Sequence, residues 1–551
     1  MALTSDIPAS LALAVFVWFS WRLLRWFTTP SPFSNIPGPK VKSFLGGHVV
    51  EVYDRNSWDF HNEIIDKYNS VVRIQGLLGN PGIFVFDPKG LHHVIVKHQD
   101  AFAAPEWFNE GEYAALGPCL LAVHGKEHRR QRKLLNPAFS TSRIREMTPL
   151  FYRVVDKLHA ALDRELGPSD EPKTLNILDW LSRTAMELIA QGGLGYSLDP
   201  LVKTSSDEYA EALKALLPTL ASLAKYQLLL PHIRRMTSPA FQRKMIDYIP
   251  IPDLKKVRDI VDVLERRSKE IYEAKKAALK AGDAAVSQQI GEGKDIMSIL
   301  LRANMEASDE DKLPEEEVTA QMSLLLFAAT DTTSSMLVQV LQLLAEHKDM
   351  QARLRAEILE ATERAGGNIP YDELMTLPLL DAVCRETLRA YPPINIVLRD
   401  ALEDTVMPLS RPFRGLDGRM IHEIPIPKGS SIILGLRAAN LDKQSWGEDA
   451  REWKPERWLS PLPESVVEAK VPGVYSNQMS FMGGPRACIG FKFSELEAKI
   501  VLIVLLRSFE FDLDKDVGEV VWNVAGVKFP TLGRDSDKPA FPMRIRRVRK
   551  M

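Results

Sequence analysis

The sequence predicts a mainly α protein with a minor β sheet (α+β class) behind an N-terminal membrane anchor. Three observations carry this. Apolar residues recur at helical spacing, with charged opposite faces, over most of residues 120–390. Short β-rich runs between Gly/Pro turns are confined to the neighbourhoods of residues 70–96 and 391–435. Residues 7–27, IPASLALAVFVWFSWRLLRWF, form an apolar run interrupted only by Ser10, Ser20, Arg22 and Arg25.

The N-terminal run, as a helix, would reach about 31 Å, close to the thickness of a bilayer's hydrocarbon core. Stopping at Trp21 leaves about 22 Å, so Arg22 and Arg25 must snorkel toward the headgroups. Only Asp6 is charged before the run, whereas Arg22, Arg25, Lys40 and Lys42 follow it. A cleaved signal peptide has the opposite order. The positive-inside rule then leaves the N-terminus outside and everything after residue 28 in the cytoplasm. A buried core helix is the alternative, and the position at the chain start with a Trp- and Arg-rich exit favours the anchor. Residues 28–40, TTPSPFSNIPGPK, contain Pro30, Pro32, Pro37 and Pro39, which make a stiff non-helical tether. The expected organisation is therefore an anchor at 1–27, a tether at 28–40 and one globular domain at 41–551.

Within that domain, SVVRIQ and GIFVFD read as strands of a small sheet, and SIILGL as a later strand. Residues 281–294, AGDAAVSQQIGEGK, read as a surface linker between two helices. No internal repeat is evident. A net charge of −2 gives no reason to expect a nucleic-acid partner. Cys119, Cys384 and Cys488 are odd in number and scattered, which excludes a disulfide framework and a paired-cysteine zinc site. The globular part thus reads as facing a reducing compartment.

The chemistry is concentrated in FMGGPRACIG, residues 481–490. Cys488 precedes a long apolar helical run, so its thiol would see the positive end of a helix dipole and free backbone N–H groups. Arg486 adds a fixed charge, and both effects favour thiolate. Gly483, Gly484 and Gly490 clear side chains from its flanks, so that something flat and bulky could approach the sulfur. Such a thiolate is a nucleophile or a metal ligand, and no local histidine serves as the nucleophile's base. An inert buried cysteine is the commoner fate of a lone Cys.

Phe481, Gly484, Arg486, Cys488 and Gly490 resemble the haem-binding loop of the cytochrome P450 family at every signature position. The resemblance implies the cytochrome P450 fold and makes residues 41–551 its catalytic domain. It makes Cys488 the axial thiolate of a haem b iron, with Arg486 pairing with a haem propionate. Glu386 and Arg389 in CRETLRAYPP are similar to the family's E-x-x-R pair, and Arg457 in WKPERWL supplies its third partner; these three are assigned to folding and haem retention. Arg399 sits where relatives place another propionate-binding arginine. In MSLLLFAATDTTSSMLVQVLQLL, six polar residues from Thr330 to Ser335 interrupt an apolar helix. AATDTT resembles the family's oxygen-binding segment, which implies that Asp331 and Thr332 relay protons during oxygen activation. Ala329 stands where relatives usually have glycine, and its methyl would narrow the oxygen groove. HGKEHRRQRKLLNPAFS resembles the helix bearing W-x-x-x-R, with His128 replacing the tryptophan as N–H donor and Arg132 as the arginine. Lys126, Arg129, Arg130, Lys133 and Lys492 would form a positive docking surface for an acidic flavoprotein.

The layout is similar to a eukaryotic microsomal, fungal-looking member of the family. It implies a single-pass endoplasmic reticulum protein with a cytoplasmic catalytic domain, acting as a monomer. Electrons would come from NADPH through cytochrome P450 reductase, with cytochrome b5 as a further donor and no nicotinamide site on this chain. The reaction expected is insertion of one oxygen atom of O₂ into a C–H bond. Pocket-lining stretches are expected at 102–121, 216–236, 394–398 and 522–530, rich in apolar residues and including Trp107, Phe108 and Trp522. Residues 216–236 read either as packed helix or as a segment dipping into the membrane interface. The substrate expected is lipophilic, a terpenoid or another fungal secondary metabolite. The rivals are a haem-thiolate isomerase or dehydratase working without O₂, which would not need Asp331 and Thr332, and a non-catalytic membrane haem-binding protein.

Overall fold

The computed structural model describes residues 31–43, 45–199, 201 and 207–548, with Val17, Trp18, Ser20 and Trp21. The anchor expected at 1–27 falls, apart from those four, outside the described residues. Residues 31–40, with Pro32, Pro37 and Pro39, are non-helical, and from residue 33 they are docked. Phe33 and Ile36 are buried and the Pro37 carbonyl accepts a hydrogen bond from Arg73 N–H.

The chain divides into two compact units. The first comprises residues up to 102 and 397–435. Its sheet follows the β-rich runs of the sequence. Val71–Gln75 pairs antiparallel with Pro81–Val85, which runs parallel to Ser431–Gly435, with Gly82 opposite Ser431. Ile396–Ala401 and Phe102–Ala103 complete five strands. Thr405–Arg414 and Met420–Ile426 form a separate hairpin.

The second unit, residues 103–396 and 436 onward, is helical apart from a three-stranded sheet and the hairpin of Val520–Asn523 with Phe529–Leu532. The helices that frame the site are α1 (Glu106–Leu116), α2 (Gly125–Leu135), α3 (Thr148–Leu166), α4 (Ile177–Ile189), α5 (Leu230–Met236), α6 (Glu315–Glu346), α7 (Pro378–Ala390) and α8 (Phe491–Ser508). The expected linker at 281–294 joins the helix Pro252–Ala281 to Ile296–Glu306 and contains one short helical stretch, Asp283–Ser287.

Helix α6 is the spine, about 48 Å long at the usual rise. Glu315, Glu316 and Glu317 occupy its first turn, where the helix dipole favours negative charge. Among the described residues it is the one helix long and apolar enough to cross a membrane. However, 72% of its apolar window is buried in the protein, against α4, α8 and their neighbours. Helix α7 begins with Pro378 at a position needing no N–H and stops at Tyr391, ahead of Pro392 and Pro393.

Three charged groups lock the end of α7. Arg389 donates twice to the Glu386 carboxylate at 2.8 Å, and both side chains are fully buried. Arg457 Nε, Trp458 Nε1 and Lys454 N–H also donate to Glu386, while Arg389 reaches the carbonyls of Asn440, Ala450 and Glu452. Burial alone would push Glu386 up; the hydrogen bond and charge of Arg389, the Lys454 N–H and Arg457 overcome it and hold the carboxyl below its usual range. Such a group contributes stability above its unfolded pKa of about 4.3, and that contribution is lost as pH falls through the folded value. Glu386→Gln should cost about 3–5 kcal/mol at neutral pH by leaving Arg389 unpaired. In denaturant melts of the two proteins, the gap should narrow on acidification below about pH 4, as wild-type Glu386 is itself protonated.

Candidate functional site

The buried charge network extends to the cysteine loop. Asn440, whose carbonyl binds Arg389, accepts from Met479 N–H through its side-chain oxygen at 2.6 Å and donates to Ser480 Oγ. Ser480 Oγ in turn donates to Leu388 O on α7. The loop closes on itself where Cys488 N–H donates to Phe481 O at 2.9 Å, and α8 starts at Phe491 with Gly490 as its cap residue.

The three glycines do different jobs. A β-carbon on Gly483 would fall 1.5 Å from Pro472 O, so this glycine permits a close crossing of two backbones. Gly484 has φ +68°, a left-handed turn. A β-carbon on Gly490 would meet only Phe139, at 3.8 Å. Gly490 keeps its flank open and Gly483 does not, which corrects the expectation that all three clear the approach to sulfur.

Cys119 and Cys384 are buried, whereas Cys488 is exposed. Protein nevertheless surrounds Cys488 closely enough that burial pushes its thiol up, against the Gly490 N–H and the charge of Arg132. Accessible surface on an enclosed group means that the sulfur opens onto interior space. The helix terminus acts in the expected direction through the Gly490 N–H, but the thiol is raised overall and Arg486 is not among the groups acting on it. Desolvation is the larger effect, and the cation acting on the sulfur is Arg132. Arg486 instead donates to Val123 O at 2.7 Å and reaches Leu120 O at 3.4 Å. A metal bound at the sulfur would deprotonate its thiol ligand outright.

Arg132 lies on α2, where Nη1 donates to Ala487 O at 2.6 Å and Nε to Asn136 Oδ1. His128, one turn earlier on the same face, is buried. In the first unit, Arg399 donates to Leu398 O, and burial pulls its guanidinium down to about 10 with no carboxylate partner among the described residues. Lys126 and Arg129 are exposed as expected of a docking face. Arg130 instead turns to Glu317, Lys133 pairs with Asp311 at 2.7 Å, and Lys492 donates to Thr141 Oγ1.

On α6 the polar run divides. Thr330, Thr333, Ser334 and Ser335 are buried, while Ala328 is exposed and Phe327, Ala329, Asp331 and Thr332 are partly so. Thr332 Oγ1 donates to Ala328 O at 2.7 Å. Asp331 has no side-chain partner among the described residues, and burial raises its carboxyl. An accessible notch in the middle of a buried helix again marks interior space.

An enclosed but accessible thiol and an inward notch on the spine helix suit a flat, iron-bearing group. The Arg132 guanidinium, bonded to neutral oxygens alone among the described residues, suits a propionate of that group. The residues present thus fit haem. Two buried groups escaped sequence reasoning. Glu497 on α8 is fully buried beside Thr333 of α6, outside good hydrogen-bond geometry, and burial holds it well above the carboxylate range. Lys528 is fully buried, 4.7 Å from the Trp522 ring and 5.3 Å from that of Tyr391, and donates to Gln339 on α6. Its backbone carbonyl accepts from Ser335 Oγ, which ties the hairpin to α6. For Lys528, a charged residue inside an apolar run was the available signal.

Comparisons agree with this geometry. The family model described as Cytochrome P450 matches residues 36–523. The chain is 50% identical over 544 residues to cytochrome P450 monooxygenase 91 of Postia placenta, covering 99% of each. It is 41% identical to ganoderic acid synthetase CYP5150L8 of Ganoderma lucidum, covering 97% of this chain and 98% of that one. It is 38% identical to the cytochrome P450 eriI of Hericium erinaceus, covering 94% of both. With the mainly α fold and minor sheet in place, the chain belongs to the cytochrome P450 family and is a haem-thiolate monooxygenase.

Proposed function

We propose that this monooxygenase inserts one oxygen atom of O₂ into a C–H bond of a terpenoid or related fungal secondary metabolite, with electrons from NADPH delivered by cytochrome P450 reductase or cytochrome b5. The observation that carries the reading is Cys488, accessible yet enclosed, at the mouth of α8. A relative with ganoderic acid in its name supports the substrate class. We assign residues 1–27 to a single-pass endoplasmic reticulum anchor, 28–40 to a tether and 41–551 to a cytoplasmic catalytic domain. The exposed Leu228, Leu229, Ile233, Met236, Phe241 and Tyr248, with Arg234 and Arg235 among them, favour a second contact with the bilayer surface.

Cys488 would ligate the iron of haem b, with Phe481, Gly484 and Gly490 shaping the loop around it. Arg486, Arg399, His128 and Arg132 would hold the propionates, for which Arg486 and Arg132 must exchange a carbonyl partner for a carboxylate. The group supplies, when bound, the redox-active iron at which O₂ is activated. Asp331, whose carboxyl burial raises, would pass a proton toward the reacting oxygen, and Thr332 would orient that transfer once its hydroxyl leaves Ala328 O. The Ala329 methyl narrows the same groove. Glu386, Arg389 and Arg457 keep the loop in place and retain the haem.

Full-length protein in microsomes with reductase, fed a terpenoid panel, should consume O₂ and NADPH in proportion to oxygenated product. Product formed without O₂ consumption would identify an isomerase or dehydratase. Cys488→Ala should lose both the thiolate-type band of the reduced CO complex and all turnover. Retention of both would refute the assignment. Asp331→Asn and Thr332→Ala should lower product formation about 100-fold or more, the range expected for a lost proton donor. NADPH consumption should persist in these variants, with hydrogen peroxide replacing product.

A further inference from the structure

Glu112 on α1 is an acid with no hydrogen-bond or ion-pair partner among the described residues. Glu106, Glu110 and Tyr113 form one stripe of this helix at i, i+4 and i+7, and α5 engages it. Arg235 pairs with Glu106, Arg234 pairs with Glu110, and the Arg234 guanidinium lies 4.4 Å from the Tyr113 ring. At helical periodicity Glu112 falls on the opposite side, between Phe108 and the buried Ala115 and Leu116. Its Oε2 has neither a hydrogen-bond partner nor solvent contact, although the residue keeps part of its surface accessible. No cation offsets the burial, which pushes the carboxyl up to about 7. Partial accessibility combined with enclosure is the condition found at Cys488 and Asp331, so Glu112 also borders interior space. Just beyond α1, Leu120 N–H donates to Gln321 Oε1, and a β-carbon on Gly117 would meet Ala320 at 3.3 Å. The inner face of α1 is thus carried by the part of α6 that precedes the Ala328–Thr332 notch.

A carboxyl left unpaired on an apolar inner face costs stability and gives nothing back within the protein. We propose that Glu112 is the polar anchor of the substrate chamber, hydrogen-bonding a hydroxyl group on an otherwise apolar substrate. The enzyme then acts on lipophilic alcohols, and a reaction that installs a hydroxyl must precede it. This rests on the monooxygenase function proposed above.

Equilibrium dialysis separates the two readings, because it measures binding without turnover. The full-length, haem-loaded protein in membranes is dialysed against matched probes: cholesterol and cholestene, farnesol and farnesene, dodecanol and dodecane. In at least one pair the alcohol should bind about ten- to hundred-fold more tightly than its hydrocarbon, the range for a hydrogen bond to an ionisable group. Glu112→Leu should erase that preference by weakening the alcohol alone, and Glu112→Gln, which still accepts a hydrogen bond, should keep part of it. Glu112→Leu should also melt at a higher temperature than wild type, whereas a structural acid would lower the melting point when removed. The proposal is overturned by equal affinity within every pair, by no measurable binding of any alcohol, or by an unchanged preference in Glu112→Leu. Binding as expected without O₂ consumption would leave this inference standing and sink the oxygenation chemistry.

Discussion

The cysteine loop is held in place by a carboxylate that cannot be removed without stranding a buried guanidinium. Glu386 fixes Arg389, Arg389 fixes the Asn440 carbonyl, and the Asn440 side chain fixes Met479 and Ser480 at the head of the loop. Each link is a hydrogen bond to a group shielded from water, where the alternative is an unsatisfied donor or acceptor. The reactive sulfur is therefore positioned through α7, the chain after residue 436 and the contacts of Arg132 with Ala487 O and of Arg486 with Val123 O, and the loop adds closures of its own such as Cys488 N–H to Phe481 O. Geometry at residue 488 is a property of the whole second unit.

A second theme is enclosure without packing. Cys488, Asp331 and Glu112 keep accessible surface while their ionisable groups respond as if buried. In all three, desolvation favours the protonated form, and no neighbouring charge fully opposes it. A chamber built this way suppresses charge by default. Whatever charge its chemistry needs must arrive with a cofactor, a substrate or a proton in transit.

Much of this was legible in the sequence because the chemistry is local. Phe481 to Gly490 forms one loop, Glu386 and Arg389 lie one turn apart, and Asp331 and Thr332 are adjacent, so spacing alone brings each set together. The strands at 71–75, 81–85 and 431–435 and the long apolar helix were equally visible, since periodicity records which face is buried. Long-range partnerships were not visible. Asn440 bridges segments 51 and 39 residues away, and Arg130 abandons the basic face for Glu317 on another helix. The direction of the Cys488 shift was misjudged for the same reason. A sequence reports the charge two positions away but not the protein mass around the sulfur, and here the mass outweighs the charge. Gly483 teaches a similar lesson, because the backbone it accommodates belongs to Pro472.

The spine helix α6 has one further consequence. By length and hydropathy it meets the requirements of a bilayer-spanning segment, and only its packing in the folded interior hides it. It is synthesised well before α8, one of the helices that cover it. A ribosome-bound chain therefore exposes a stretch that the secretory machinery cannot distinguish, on apolarity alone, from a genuine stop-transfer signal. Wherever the unfolded chain meets a membrane, the protein neighbours of α6 must therefore outcompete lipid for the same apolar surface.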